Sequence, residues 1–585
     1  MEQYDLAEIK LNGTSDGNPY VDVDVHATFT HAGTGHTVEV GGFYRGKGRY
    51  SVRFMPESAG EWTYVTASND PALDGIAGTF VAEQPSPDNH GPVRLAIDVL
   101  DGEAAAAYGT ELPYRFCYAD GIPYRPYGTT CYAWINQSPD VQERTLTTLA
   151  QAPFNKIRMC VFPKFYDFNT ADPAMFAYEG SMAGGFDHTR FNEPFFVNLD
   201  RRIAQLAELG VEADIILLHP YDKPEWGFSR MSKADDERYL AYMARRYGAY
   251  RNVWWSLANE YDLMPWKSRG DWRDYAHVIM ANDAFGHLRS VHNCVTLYDW
   301  GEDWVTHCSY QRVDVTRTTE PIAEYRKRYG KPVICDEPGY EGNIYWGWGN
   351  LPGTELMRRF WEGAMRGGYV THGETYIDRG PQIWWAHGGE LHGEAPERIA
   401  FMRSVFAEAP LDAAPLDETL SPDAVWPLAV AAAADNVGGT GESAGAAGFV
   451  EDDAAADASE FVENTAAAEV AGVVESAETA ESVEIAETAG AANLDAPTPI
   501  TPAQEKAMQY WDVPVLRSGL DWQLVYFGWY RPAWRDFPLP DGRRYLVDVI
   551  DTWNMTIETL PGTHECTVRV PLGRQWLAVR IRRAG

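Results

Sequence analysis

Two short stretches end in a carboxylate placed where a carboxylate can react. Val253-Trp254-Trp255-Ser256-Leu257-Ala258-Asn259-Glu260 and Pro332-Val333-Ile334-Cys335-Asp336-Glu337 are apolar runs that stop at an acid. Such runs read as parallel strands buried on both faces, with the acid at the carboxyl end. In a βα barrel that end carries the chemistry, and two glutamates there are the minimum apparatus for cleaving a glycosidic bond. A general acid needs a raised pKa, which burial and a neighbouring carboxylate provide. A nucleophile must stay ionised and needs hydrogen-bond donors. Arg158, His219 and Tyr310 end further strands and are candidates to supply them, and Asn259 precedes the first acid.

Other positions fit substrate contact as well as they fit packing. Trp134, Trp346, Trp384 and Trp385 lie in or just after strand-end regions, where a flat ring can stack on a sugar or pack the barrel top. His372 and Glu374 follow the last strand, and His307 lies near Tyr310. Asp336, next to Glu337, is expected to point away from the pocket by strand alternation. His219, His307, His372 and His387 are numerous, but no paired spacing supports a metal. No metal or cofactor is expected.

These residues need a scaffold. Residues 1–110 carry short alternating strands, Tyr20–Val25, His36–Val40, Tyr50–Phe54 and Glu61–Val65, which predict an N-terminal β-sandwich. Between 111 and 425 strands alternate with helices. Strands begin near Arg125, Asn155, Asp214 and Val253; Asn293–Tyr298 and Thr306–Tyr310 are candidates for the fifth and sixth; Val333–Glu337 and Gly368–Glu374 are the last two. An amphipathic helix spans Leu199–Leu209, closed by Gly210, and residues 233–249 are helical. The pattern predicts an α/β fold with a central (β/α)8 TIM barrel. The rival doubly wound sheet would carry a Gly-rich nucleotide turn after its first strand, and none is present. Residues 426–500 are an acidic Ala/Glu-rich low-complexity insertion, read as disordered and without catalytic role. Residues 501–585 return to β patterning and predict a small C-terminal sandwich.

At this point the chain resembles a known group. Asn259-Glu260 after strand four and Glu337 after strand seven are the signature of clan A retaining glycoside hydrolases. Tyr127-Gly128-Thr129-Thr130-Cys131-Tyr132-Ala133-Trp134 and the layout resemble the apiosidase-like subgroup, with β-domains flanking the barrel, and Val549-Ile550-Asp551-Thr552-Trp553-Asn554-Met555-Thr556 is similar to its closing β-domain. The resemblance covers roughly residues 122–405 and implies Glu260 as acid/base and Glu337 as nucleophile. It points to a retaining, exo-acting enzyme releasing a terminal pentose, apiose or arabinofuranose, from short glycosides. β-Glucosidase, β-xylosidase and β-galactosidase activities are the alternatives. The acidic tract departs from the family layout.

Bulk properties narrow the partners. The chain has 585 residues and a formal charge of −35, which argues against nucleic acid and anionic membranes. Fifteen acidic residues fall between 430 and 498, so part of that charge is local. The 21 Trp and 32 Tyr suit sugar binding, although core packing accounts for most of them. Seven scattered Cys and no basic-then-apolar leader point to a cytoplasmic protein. The expected partner is a small glycoside or oligosaccharide, with homo-oligomers compatible. The non-enzyme alternative is a catalytically inactive sugar-binding barrel, which the presence of both glutamates disfavours.

Overall fold

The computed structural model describes residues 1–312, 317–416 and 513–585; the acidic tract lies outside them. Eight parallel strands form the centre. In chain order they are Gly128–Thr130, Lys156–Cys160, Glu212–Leu218, Val253–Ala258, Arg289–Ser290, Cys308–Gln311, Val333–Glu337 and Tyr369–His372, here barrel strands one to eight. They pair in the order 5-4-3-2-1-8-7-6. A parallel bridge from His292 to Ser309 joins strands five and six and closes the ring. This is a (β/α)8 barrel.

The helices wrap the barrel on side chains that the sequence spaces for it. Glu193–Glu208 buries Phe195, Phe196, Leu199, Ile203 and Leu206 on one face. It ends before Gly210, which takes φ +68°. Lys233–Tyr247 starts at Ser232, whose side chain accepts from Asp235 N, and Arg269–Asn282 opens on a Ser268–Asp271 capping box.

Inside the barrel, an apolar cluster of Val93, Phe116, Tyr124, Trp254, Leu288, Ile334 and Tyr369 fills one layer. Against it lies a buried ion network. Lys156 Nζ donates to Asp214 Oδ2 at 2.6 Å and Asp336 Oδ1 at 3.1 Å. Thr371 and Ser309 donate to Asp336 at 2.7 and 2.5 Å. Asp336 is therefore a member of the barrel interior.

Two expected strands are corrected. Tyr20–Val25 alternates, but Pro19–Asp22 forms a helical turn closed onto the Asn18 carbonyl, and the strand starts only at Val25. Asn293–Tyr298 is a loop, and strand five lies earlier, at Arg289–Ser290. The reason is Asp262, whose carboxylate accepts the backbone N–H groups of Cys294, Val295 and Thr296 and bends the segment around itself.

The N-terminal region is a sandwich of two antiparallel sheets, with Phe29 and Phe54 stacked between them at 4.1 Å. It joins the barrel through buried ion pairs. Arg53 donates to both oxygens of Asp200 at 2.9 and 2.8 Å. Arg246 donates to the same carboxylate at 3.0 and 2.7 Å. The C-terminal region is a six-stranded antiparallel sheet with a two-stranded companion. Its Tyr526 stacks on Trp361 of helix Gly353–Met365, ring centroids 5.5 Å apart. Ala414–Pro415 pairs with Leu516–Arg517, so the described chain leaves and re-enters at neighbouring strands. Among the described residues no helix is long and apolar enough to cross a membrane.

Candidate active site

Glu260 and Glu337 stand at the carboxyl ends of barrel strands four and seven. Glu260 takes a left-handed backbone conformation, φ 52°. A non-glycine residue held there is strained, and such strain collects at functional sites. Its carboxylate accepts from the Tyr221 hydroxyl and from Gln311 Nε2 at 2.9 Å. Gln311 itself lies opposite Glu337 in the register of strands six and seven, beside a bulge that separates it from Tyr310.

Glu337 accepts from the Tyr132 hydroxyl. Arg158 Nη1 lies 3.6 Å from its Oε1, and His292 Nε2 lies 3.4 Å away. Arg158 also donates to the Tyr132 hydroxyl at 3.2 Å and to Asn259 Oδ1 at 3.4 Å, so one guanidinium braces both strand ends. Burial pushes the Glu337 carboxyl up. His292, then Arg158 and Lys164, outweigh it, and the carboxyl is held well below the ordinary range. The Tyr132 phenol is pushed far up by burial and by Glu337, so it stays a donor. Burial and the nearby Glu260 carboxylate push the Cys294 thiol up as well.

The arrangement suits hydrolysis of an acetal: a carboxylate kept ionised at one strand end, and at another a second carboxylate that accepts from Tyr221 and Gln311. A family match decides which acetal chemistry it serves. Residues 114–408 match the family described as Apiosidase-like, catalytic domain. The chain belongs to the apiosidase-like family and is a glycoside hydrolase.

Two further matches flank that one. Residues 1–69 match a domain of unknown function, DUF5060, and residues 511–582 match another, DUF5605. A candidate glycoside hydrolase of Bacteroides vulgatus ATCC 8482 is 32% identical over 100% of this chain and 99% of its own, with a TM-score of 0.76. A glycoside hydrolase family 5 protein of the same organism shares the fold, with 12% identity over 85% of this chain and 95% of its own and a TM-score of 0.51. No curated protein matches the chain.

Around the pair of this apiosidase-like barrel, the sequence-selected residues divide. Asn259 and Arg158 lie at it. The Asn259 side-chain nitrogen is buried with no hydrogen-bond partner among the described residues. His219 is near: its Nε2 faces the Phe162 carbonyl at 3.2 Å, and burial pushes its pKa down to about 3, so it is neutral. Trp346 is half-buried at the rim, its ring 5.0 Å from that of Tyr345.

Six others are not brought to the pair. Tyr310 faces the surrounding helices and donates to the Thr318 carbonyl at 3.0 Å. His307 packs on Phe116 and Trp254 in the apolar layer. Trp134 donates to the Gln142 carbonyl at 3.2 Å, and Trp384 to Thr129 Oγ1 at 2.8 Å, both in the core. His372 stacks on Phe154 at 4.7 Å. Glu374 caps a chain turn, accepting from His392 N and Gly393 N at 2.6 and 2.8 Å, and burial raises its pKa to about 8.

Sequence reasoning did not single out Tyr132, Lys164, Tyr221, His292, Cys294 or Gln311. Tyr132 and Tyr221 each follow a strand by a residue or more, and Gln311 directly follows the selected Tyr310. A bulge lies between the two, and Gln311 reaches Glu260 while Tyr310 faces the helices. Trp385 is the tryptophan near the site, its ring 5.7 Å from that of Tyr132.

Proposed function

We propose that the chain is a retaining, exo-acting glycoside hydrolase. In this reading Glu337 attacks the anomeric carbon as the glycosidic C–O bond breaks, and Glu260 gives its proton to the leaving oxygen. Water then attacks the same carbon, returns a proton to Glu260 and frees the Glu337 carboxylate. Both steps pass through oxocarbenium-like transition states.

The observation that carries these roles is the set of cationic groups around Glu337. Glu337 is bordered by Arg158, His292 and Lys164, which keep it anionic. The donors named on Glu260, Tyr221 and Gln311, are uncharged, which suits a group that must hold and release a proton. Asn259 Nδ2, Trp385 and Trp346 are proposed as sugar contacts.

Exo action is favoured by a tie across the mouth. Tyr345, on the segment 338–352, donates to Asp167 Oδ2, on the segment 162–195, at 2.6 Å. The two loops meet beside Trp385, whose ring lies 4.9 Å from Trp348 and 6.2 Å from Phe168. A pocket bounded this way admits a chain end more readily than a chain interior. Membership in the apiosidase-like family favours a terminal pentose, apiose or arabinofuranose, on a short glycoside. The seven free cysteines suit a cytoplasmic setting.

Hydrolysis of a panel of nitrophenyl pentosides and hexosides tests the reading, with pentosides turned over fastest. Glu260→Ala should retain glycosylation by activated aryl glycosides and regain turnover with azide. Equal loss in Glu260→Ala and Glu337→Gln, without azide rescue, contradicts the roles.

A further inference from the structure

The helical turn Pro19–Asp22 stands where the sequence predicts a strand of the first domain. It presents two side chains to a barrel loop. Asn18 Nδ2 donates to the Thr189 carbonyl at 3.2 Å and to Thr189 Oγ1 at 2.8 Å, and the Tyr20 hydroxyl donates to the Phe191 carbonyl at 2.8 Å. In return Arg190 Nη2 donates to the Gly17 carbonyl at 2.8 Å. The Tyr20 ring meets that of Phe191 edge-on at 5.4 Å. Thr189, Arg190 and Phe191 belong to one hairpin, Tyr178–Ser181 with Gly185–Phe191, in the long connection from barrel strand two to helix Glu193–Glu208.

A two-stranded hairpin is marginal by itself in water, and of these strand residues only Tyr178 and Phe191 are buried. The first domain therefore supplies much of what fixes it. From the hairpin the packing runs inward through rings. Phe191 stacks on Tyr178 at 5.2 Å, and Tyr178 on Phe162 at 6.1 Å. Phe162 stands two residues before Lys164. Lys164 is 3% exposed and lies 4.0 Å from the ring of Tyr132 and 4.1 Å from that of Tyr221. Its charge helps keep Glu337 ionised. The same connection carries Asp167, which accepts from Tyr345 at the mouth.

We propose that Asn18 and Tyr20 are positioning residues for the reaction: by clamping the hairpin they seat the connection after strand two, so that Lys164 stays beside Glu337. The proposal rests on the reading of Glu337 as nucleophile. It gives the region that matches DUF5060 a part in the active site. Packed side chains carry coupling of this kind, and a misplacement of about 1 Å at the reacting groups, caused from a distance, costs up to about a hundredfold in rate.

The test uses the full-length protein and two readouts. The first is amide hydrogen exchange, read by mass spectrometry on peptides from 162–177, outside both the clamp and the hairpin. In Asn18→Ala/Tyr20→Ala, exchange there is expected to quicken by roughly tenfold or more. Asn18→Ala/Tyr20→Phe, which keeps the ring, is expected to show the same change in smaller measure. Phe29→Leu is the control, because Phe29 stacks on Phe54 inside the sandwich; it loosens the first domain and is expected to leave 162–177 unchanged. The second readout is kcat/KM against pH on whichever nitrophenyl glycoside is hydrolysed. With Lys164 displaced, burial lifts the Glu337 carboxyl, so the acid limb is expected to move to higher pH. Lys164→Met moves it the same way, and adding the Asn18 and Tyr20 changes to Lys164→Met moves it no further. Unchanged exchange in 162–177, or equal quickening in Phe29→Leu, overturns the proposal. So does an acid limb that moves in Lys164→Met but not in Asn18→Ala/Tyr20→Ala. An acid limb that ignores Lys164→Met as well counts against the role of Glu337 and not against the clamp, which quickened exchange then upholds.

Discussion

Gln311 donates from Nε2 to Glu260 Oε1 at 2.9 Å while its backbone lies opposite Glu337 across strands six and seven. A single residue thus touches one carboxylate through its side chain and pairs with the strand position of the other through its backbone. Close spacing, about 5–5.5 Å between carboxyls, belongs to retention, and about 6.5–9.5 Å to inversion. The first-formed sugar, followed by proton NMR before mutarotation, is expected to keep the anomeric configuration of the substrate.

The depressed Glu337 carboxyl fixes a pH dependence. In its proposed role as nucleophile Glu337 is active when ionised, so a pKa held below the ordinary value would keep the enzyme active further into acid. Removing His292, the foremost of the groups that lower it, lets burial raise the carboxyl. In His292→Ala the acid limb of kcat/KM against pH is expected to move to higher pH, with a smaller change on the alkaline side.

Neighbouring tryptophans should separate binding from folding. Trp385 borders Tyr132, Tyr166 and Trp348 at the mouth. Trp385→Ala is expected to raise KM by roughly tenfold, the scale of about 1–1.5 kcal/mol for an aromatic contact. Trp384 is buried and bonded to Thr129. Trp384→Ala is expected to cost about 3–5 kcal/mol of stability, read as a lower urea midpoint, with KM of the folded fraction little changed.

The joint between the first domain and the barrel is electrostatic at its centre. Burial pushes the Asp200 carboxyl up, but Arg53 and Arg246 overcome it and hold the folded-state pKa below the unfolded value. Its stabilisation is therefore present above about pH 3.9, the ordinary aspartate value, and is lost as pH falls toward the folded one. Asp200→Ala leaves two arginines without this partner and is expected to cost about 3–5 kcal/mol. Melting temperature against pH should fall on acidification in the wild type and be flatter in the variant.

Much of this site could be read along the chain because a buried strand ending in an acid needs no tertiary information to recognise. Asn259-Glu260 and Glu337 are such ends, and Arg158 is an inward residue of a fully buried strand. What stayed hidden depends on backbone irregularity. A bulge between Tyr310 and Gln311 and the early end of strand five at Ser290 decide which residues face inward. Neither Gln311 nor His292 can be chosen from period alone. The Asp262 carboxylate that bends 294–296 into a loop acts from 32 to 34 residues away in sequence. Lys164, Tyr132 and Tyr221 come together from three loops, a coincidence that only the closed barrel creates.

Trapping the covalent intermediate tests the central claim most directly. The protein is incubated with the 2-deoxy-2-fluoro aryl glycoside of whichever sugar the panel shows to be hydrolysed, digested, and read by peptide mass spectrometry. The account predicts one fluoro-sugar per chain, attached to the peptide containing Glu337 and absent from Glu337→Gln. An adduct on Glu260 or elsewhere, or no adduct together with an inverted product, would contradict it.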